Sequence, residues 1–231
     1  MQPLKDIAVV GAGIAGLSCA TALQAAGHRV RVFDKSGGTS GRMSTRRGEG
    51  WQCDHGAQFF AADHPEFAVE VARWRQAGVA APWTPRLRTE SGALLRARSS
   101  GNWHVGVPRM TVPARWLSAA CTLSTKTTIN RVSQVGQRWQ LQSAEHGVMA
   151  QMFDTVVLAI PAPQAVPLLR GAASELSRLA DGVAMQGCWA LMARFAAPLA
   201  LDGRGLTGHA ERLPEQVLGH PRRRPEKCGV V

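Results

Sequence analysis

Three glycines at G-x-G-x-x-G spacing, Gly11, Gly13 and Gly16, followed one short unit later by Asp34, form the first group whose types and spacing could do chemistry. Gly11 allows a tight turn, Gly13 lets the backbone approach a pyrophosphate, and Gly16 lets a helix pack closely on a strand. The phosphates would rest on the N–H groups of Ala12, Gly13, Ile14 and Ala15, at and just ahead of a helix N-terminus. Asp34 could accept both hydroxyls of an adenosine ribose and would repel a 2′-phosphate, which disfavours NADP.

Such a spacing carries weight only if the right elements hold it. Ile7, Ala8, Val9 and Val10 form a short apolar run before Gly11, as a buried strand requires. A helix is expected through Leu17, Ala20, Leu23 and Gln24, stopped at Gly27. A second strand, His28 to Phe33, alternates Val30 and Val32 with Arg31 and Phe33 and ends on Asp34 and Lys35. The elements occur in the order a dinucleotide-binding βαβ unit needs, within about 30 residues. The competing reading is a βαβ unit that binds nothing.

The chain as a whole sets limits. Its 231 residues, 45% hydrophobic, suffice for one large domain or two small ones. A net charge of +11 favours anionic partners: nucleic acid, acidic lipid or a phosphorylated small molecule. Cys19, Cys53, Cys121, Cys188 and Cys228 form no C-x-x-C pair, so neither a metal site nor a disulfide framework is expected. Residues 7–23 are apolar enough to mimic a leader or a short span, yet Lys5 and Asp6 cancel in charge and the glycines sit at phosphate-loop spacing. The expectation is a reduced, cytoplasmic protein outside the membrane. There is no tyrosine anywhere in the sequence.

A second constellation follows. Gly41-Arg42-Met43-x-Thr45 leads into Asp54-His55-Gly56-Ala57-Gln58-Phe59-Phe60, where an ordinary nicotinamide dehydrogenase would have another helix and strand. FAD is longer than NAD and needs a second loop of backbone donors with a cation; Gly41 and Arg42 could supply both. Taken together, the two motifs resemble the FAD-dependent amine-oxidase superfamily, most nearly its bacterial renalase-like branch. The resemblance implies FAD contacts from Gly41, Arg42 and Met43, from Gly56, Ala57, Gln58 and Phe59, and from the backbone near Ile129. Ser40 stands where that family more often has a glycine, and so does Arg109, which would cost about 1 kcal/mol if the position needs a positive φ. On the residues alone, the alternative for Arg42, Arg46 and Arg47 is a solvated basic loop, and the alternative for DHGAQFF is a strand end with core phenylalanines, the flavin-edge reading being preferred because two motifs follow the first in order. His55 is given no role.

Farther on, Asp63-His64-Pro65 begins a helix with Phe67, Val71 and Trp74 on one face, while Pro82, Pro85 and the arginines through Arg98 read as loop and edge strand. After VGVPRM, a helix is expected from Val112 to Cys121. Thr125 to Val156 reads as an antiparallel meander with Gly136 and Gly147 at its turns, closed by a buried strand from Asp154 to Pro161. Leu168, Leu176 and Leu179 suggest helix, and Gly187 to Phe195 suggests strand. Beyond Gly203 the apolar periodicity is lost, which predicts an aberrant or disordered tail, read in a shifted frame or from a shortened gene.

The expected fold is therefore α/β: a Rossmann-like FAD-binding domain of the glutathione-reductase type with a partial, mostly β substrate domain. Its expected boundaries are 1–60 with 100–165 for the first, 61–99 with 166–202 for the second, and 203–231 for the tail. The resemblance implies an FAD-dependent oxidoreductase acting on a small reduced substrate, an anionic dihydronicotinamide dinucleotide, with oxygen as acceptor. No side-chain base and no metal are called for, and nothing indicates an oligomeric state. Against this stand a nicotinamide-dependent dehydrogenase and a non-catalytic flavoprotein fragment. Nucleic-acid binding is not expected, because no stacking aromatics interleave with the basic residues.

Overall fold

A computed structural model of the protein describes residues 3–83, 87–88, 94–95, 102–188, 190 and 192. In chain order the elements begin with β1 (Asp6–Val10), α1 (Ile14–Ala25), β2 (Arg29–Phe33), β3 (Thr45–Gly48), β4 (Trp51–Asp54), β5 (Phe60–Ala61) and α2 (Pro65–Gln76). Then come β6 (Ala80–Pro82), β7 (Leu87–Arg88), β8 (Leu94–Leu95), β9 (Trp103–Gly106), α3 (Val112–Ser118) and β10 (Thr122–Ser124). The rest are β11 (Ile129–Val135), β12 (Arg138–Ser143), β13 (Gly147–Phe153), β14 (Thr155–Leu158), α4 (Ala162–Leu169) and α5 (Ser174–Asp181). The chain divides into two compact units, Met1–Gly41 with Ala114–Gln186, and Arg42–Pro113 with the described residues beyond Gln186.

The first unit is a Rossmann-like α/β layer. Its parallel sheet has the order β10-β2-β1-β14, so the strand that opens the chain lies inside the sheet. Ile7 to Val10 are buried as their apolar run requires, and Val30, Val32 and Phe33 alternate with the exposed Arg29 and Arg31. The helix α1 ends where Gly27 takes φ +89°, with the N–H groups of Ala26 and Gly27 closing back on Ala22 O and Gln24 O. The meander is present as β11-β12-β13, with positive φ at Gly136 and Gly147. Ile129, Val132, Leu141 and Phe153 from it join Ala8, Val10, Phe33 and Leu168 in one core, where Phe33 meets Phe153 edge-on.

Two expectations fail here. The strand β14 is half-buried throughout, not buried, because it is the edge of its sheet among the described residues and one flank has no neighbouring strand. The helix expected around Leu168, Leu176 and Leu179 is present as α4 and α5, and Leu176 and Leu179 are 55% and 66% exposed because α5 turns Ser177 toward α4, its hydroxyl donating to Val166 O. Of the expected strand from Gly187 to Phe195, the described residues Gly187, Cys188, Ala190 and Met192 form none, and the others lie outside the described residues. So does the whole 203–231 tail, with most of the run from Pro85 to Arg98.

One ionic knot fastens the sheet at the ends away from the glycine loop. Arg29 donates to Asp6 at 2.6 and 2.8 Å, Arg138 bridges Asp6 and Asp154, and Asp154 accepts the Asp6 N–H at 2.8 Å. The hydrogen bond from Arg29 holds the Asp6 carboxyl below the usual carboxylate range. A carboxyl whose folded pKa is depressed adds stability that is complete above its unfolded value, about 3.9, and that disappears as pH falls through the folded value. Denaturant midpoints at pH 6 and pH 3 should therefore differ more for the native chain than for Asp6→Asn, and 1 M salt should narrow the gap. An unchanged pH difference in Asp6→Asn would show that other carboxylates carry the acid sensitivity.

The second unit is built from small β pieces and one helix. The hairpin β3-β4, the sheet β5-β9-β6 and the pair β7-β8 are all antiparallel. Pro65 opens α2, and Val71 and Trp74 are buried as their spacing predicts. Phe60, Phe67 and Trp74 pack together with centroids 5.7–5.9 Å apart, Trp74 meeting both phenylalanines edge-on. His104 stacks on Phe60 and holds Asn102 O at 2.8 Å through Nδ1.

Candidate functional site

In the first unit the glycine loop joins β1 to α1, held by Gly11 N–H donating to Phe33 O. Gly11 has φ +109°, and a Cβ there would lie 2.5 Å from Ala159 O. A Cβ on Gly16 would fall far inside contact distance of Gly11 O and 3.1 Å from the Ala159 methyl. A Cβ on Gly13, by contrast, would meet nothing within 4 Å. Two of the three glycines are required by the protein's own packing. The third leaves an open flank at the start of α1, where Leu17 N–H is bonded to Gly13 O and the N–H groups ahead of it lie in the unpaired first turn. Ala12 is buried, Ile14 half-buried and Ala15 exposed.

Asp34 closes this loop from the other side. Its carboxylate accepts Ala12 N–H at 2.7 Å and Ser36 N–H at 2.7 Å, a tie between the end of β2 and the glycine loop. Its backbone is tied to Ser124 and Thr127, two residues before Ile129, so the segment leading into β11 lies beside it. Ile129 itself is buried in the core. The Lys35 ammonium reaches Gln164 of α4 at 3.1 Å. Ser40 N–H donates to Ala12 O and Ser40 bridges Gly13, while a Cβ on Gly41 would stand 3.4 Å from Gly13 Cα. The second loop therefore lies against the first.

Of the two positions where the family it resembles more often has glycine, the strain falls at Ser40 and not at Arg109. Ser40 has φ +99° and is 1% exposed, whereas Arg109 is not among the described residues with positive φ. The expected cost at Arg109 is absent, and one of about 1 kcal/mol or more sits at Ser40.

In the second unit, Arg42 is exposed and Met43 buried. Arg46 and Arg47 are exposed on β3, as a solvated pair. Arg42 O accepts the Ala57 N–H at 2.8 Å, and Gly56 lies so close to that carbonyl that a Cβ would overlap it. Asp54 is buried and accepts the Thr45 hydroxyl and, at 3.2 Å, the Met110 N–H. His55 Nδ1 lies 3.2 Å from Ser44 Oγ and 3.3 Å from Ser44 O. The GRM and DHGAQFF segments, separated by the hairpin, are thus one bonded pair of loops. Beside them Gln58 Nε2 is buried with no hydrogen-bond partner among the described residues. An orphan donor of this kind costs free energy unless something outside the chain accepts from it.

The features of the first unit, an open flank at Gly13, a helix N-terminus and a carboxylate at the end of β2, fit a nucleotide cofactor bearing a pyrophosphate. Among the described residues no three His, Cys, Asp or Glu side chains gather as metal ligands would, and no helix is long and apolar enough to cross a membrane. Burial pushes the Cys53 and Cys121 thiols up, away from thiolate chemistry. Two participants escaped the sequence reading, Trp83 and Trp103, whose rings gather on Phe59 in the second unit.

Comparison with known proteins agrees with the fold. Residues 9–72 match the family model of the NAD(P)-binding Rossmann-like domain. An L-amino-acid oxidase of Siganus canaliculatus is 44% identical over 65 residues, 27% of this chain and 12% of that protein. The tRNA 5-methylaminomethyl-2-thiouridine biosynthesis bifunctional protein MnmC of Magnetococcus marinus is 29% identical over 210 residues, 73% of this chain and 31% of that protein. Among solved structures, a putrescine oxidase variant redesigned in cofactor binding superposes with a TM-score of 0.60 at 11% identity, covering 77% of this chain and 63% of that one. The chain spans less than two thirds of the length of each of these.

Proposed function

We propose that this chain carries the FAD-binding part of a renalase-like flavin-dependent oxidoreductase, one that oxidises a small reduced substrate with oxygen as acceptor. The open flank of Gly13 is the observation that carries the reading, because it is the one place in the glycine loop where packing leaves room and a pyrophosphate needs it. The likeness to an L-amino-acid oxidase and to putrescine oxidase favours a flavin over a nicotinamide.

Each residue then has a task. The first-turn N–H groups of α1 hold the pyrophosphate, Asp34 orients the ribose from the end of β2, and Arg42 offers a charge to the anionic backbone of the cofactor. Gly56 and Ala57 fix the loop on which Gln58 presents its amide hydrogen to an acceptor atom. Bound FAD would supply the redox chemistry, coupling two-electron oxidation of the substrate to reduction of oxygen, with two protons, to hydrogen peroxide. The protein's part is to place and desolvate the reactants, and no side-chain base is needed. A dihydronicotinamide dinucleotide, oxidised to NAD(P), suits both the resemblance and a chain of net charge +11.

Purified and desalted, the chain should show flavin absorption bands near about 370 and 450 nm. A folded, colourless chain that takes up no added FAD but binds NAD would replace this reading with the nicotinamide one. One that binds neither would leave a non-catalytic fragment.

A further inference from the structure

The aromatic residues of this protein meet in several geometries. Phe33 and Phe153 meet edge-on at 89°, and Trp74 meets Phe60 and Phe67 edge-on at 80° and 82°, while Phe60 lies tilted at 58° on Phe67 and stacks at 16° on His104. Edge-to-face contact is what ring quadrupoles favour when rings must satisfy one another. Phe59, Trp83 and Trp103 form a separate group in which no pair meets edge-on. Each lies within 6.0 Å of the other two, the planes are only 30–34° apart, and all three side chains are half-buried, not enclosed.

They come from separate places in the second unit: the loop after Gln58, the end of β6, and β9. Backbone bonds lock them there, with Trp83 N–H donating to Trp103 O at 2.8 Å and β9 paired on both sides, to β5 and β6. Near-parallel rings leave faces, not edges, for a further partner. Among the described residues the one cation stacked on a ring is Arg31 over Phe33, in the first unit.

We infer that Phe59, Trp83 and Trp103 form a binding platform for a planar aromatic or heteroaromatic ring carried by a small ligand. Stacking on such faces tolerates many ring types while rejecting saturated ones. The inference rests on the oxidoreductase reading only in naming that ligand the substrate; the platform itself stands on the geometry of the second unit. Selection of a flat ring would then come from this platform.

The test uses the full chain and a matched pair of probes, benzamide and cyclohexanecarboxamide, which share the amide and differ in aromaticity. Indole N–H resonances are followed by ¹⁵N NMR and assigned with Trp83→Phe and Trp103→Phe. Benzamide should shift the Trp83 and Trp103 signals saturably with a dissociation constant in the range of about 1 mM, as expected of so small a ligand. The buried Trp74 signal should stay in place, and the saturated amide should shift none of them. Trp83→Leu should weaken benzamide binding at least about tenfold, whereas Trp83→Phe, which keeps a ring, should bind within a few-fold of the native chain. No saturable shift, an equal response to the saturated amide, or unweakened binding by a folded Trp83→Leu would overturn the platform. Flavin absorbance is read separately on the same samples. A yellow protein with silent indoles ends this inference alone, and a colourless protein that takes up no added FAD but has responding indoles ends the flavin reading and keeps the platform.

Discussion

Gly13→Ala should leave the folded chain as stable as before and still cost it most of its affinity for FAD, while Gly16→Ala, three residues on, should damage the fold itself. The motif gives the two glycines equal standing, but their surroundings differ. At Gly13 a methyl group enters open space, so the unfolding midpoint without cofactor should move by less than about 0.5 kcal/mol equivalent. That same methyl would occupy the approach of a pyrophosphate to the backbone, and a loss of at least about 100-fold in affinity, near 2.7 kcal/mol, is expected. At Gly16 the methyl would overlap the Gly11 carbonyl, which is backbone and cannot swing aside, so α1 must lift from β1 at a cost of about 3 kcal/mol or more. Urea midpoints of the three proteins without cofactor, and flavin fluorescence titrations of those that fold, measure both quantities. If Gly13→Ala binds FAD as tightly as the native chain, the open flank is not where the phosphates lie.

The second large effect belongs to Gly56→Ala. Its Cβ would overlap Arg42 O and stand 3.2 Å from Ser44 N, so the two loops must part. Parting them breaks the bond from Ala57 N–H to Arg42 O and pulls His55 from Ser44. Overpacking and a broken buried hydrogen bond together should destabilise the second unit by about 2–4 kcal/mol. Hydrogen exchange should show the change as lost protection in β3, β4 and the Ala57 amide, with β1 and β2 of the first unit little altered. Gly38→Ala, where a Cβ meets nothing and φ is ordinary, is the neutral control. Uniform loss of protection across both units would mean that the two melt as one.

What could be read from the sequence follows the range of the forces involved. The βαβ unit was legible because its signals are local: an apolar run, a glycine spacing, Gly27 at a helix end, and Val30 and Val32 alternating with charged residues. The meander and α2 were legible for the same reason, through Gly136, Gly147 and Pro65. Exposure was not legible where it depends on the neighbours a segment finds. Thr155 to Leu158 has the composition of a central strand and lies at an edge of the sheet formed by the described residues, and Leu176 and Leu179, one helical turn apart, are exposed. The candidate site divides in the same way. Gly11, Gly16 and Gly56 were found by motif, but that Gly13 alone has open space depends on the carbonyls around the loop. Phe59, Trp83 and Trp103 are scattered in sequence, and only strand pairing across β9 brings their rings together. At Ser40 the chain carries a strained backbone that no propensity would have placed there.

The order β10-β2-β1-β14 also has a consequence for the ribosome. Asp6 and Asp154, bonded across the first and last strands of that sheet, stand 148 residues apart, whereas β1 and β2 follow one another within a single βαβ unit. During synthesis β1, α1 and β2 can assemble as soon as they emerge, but the other side of β1 must wait for β14, on the order of ten seconds later. For that interval Ile7 to Val10, among the most apolar residues of the chain, present an unpaired strand to whatever is near. Nascent chains halted between β2 and β14 should therefore be the species that chaperones capture, and release should coincide with the arrival of Thr155 to Leu158.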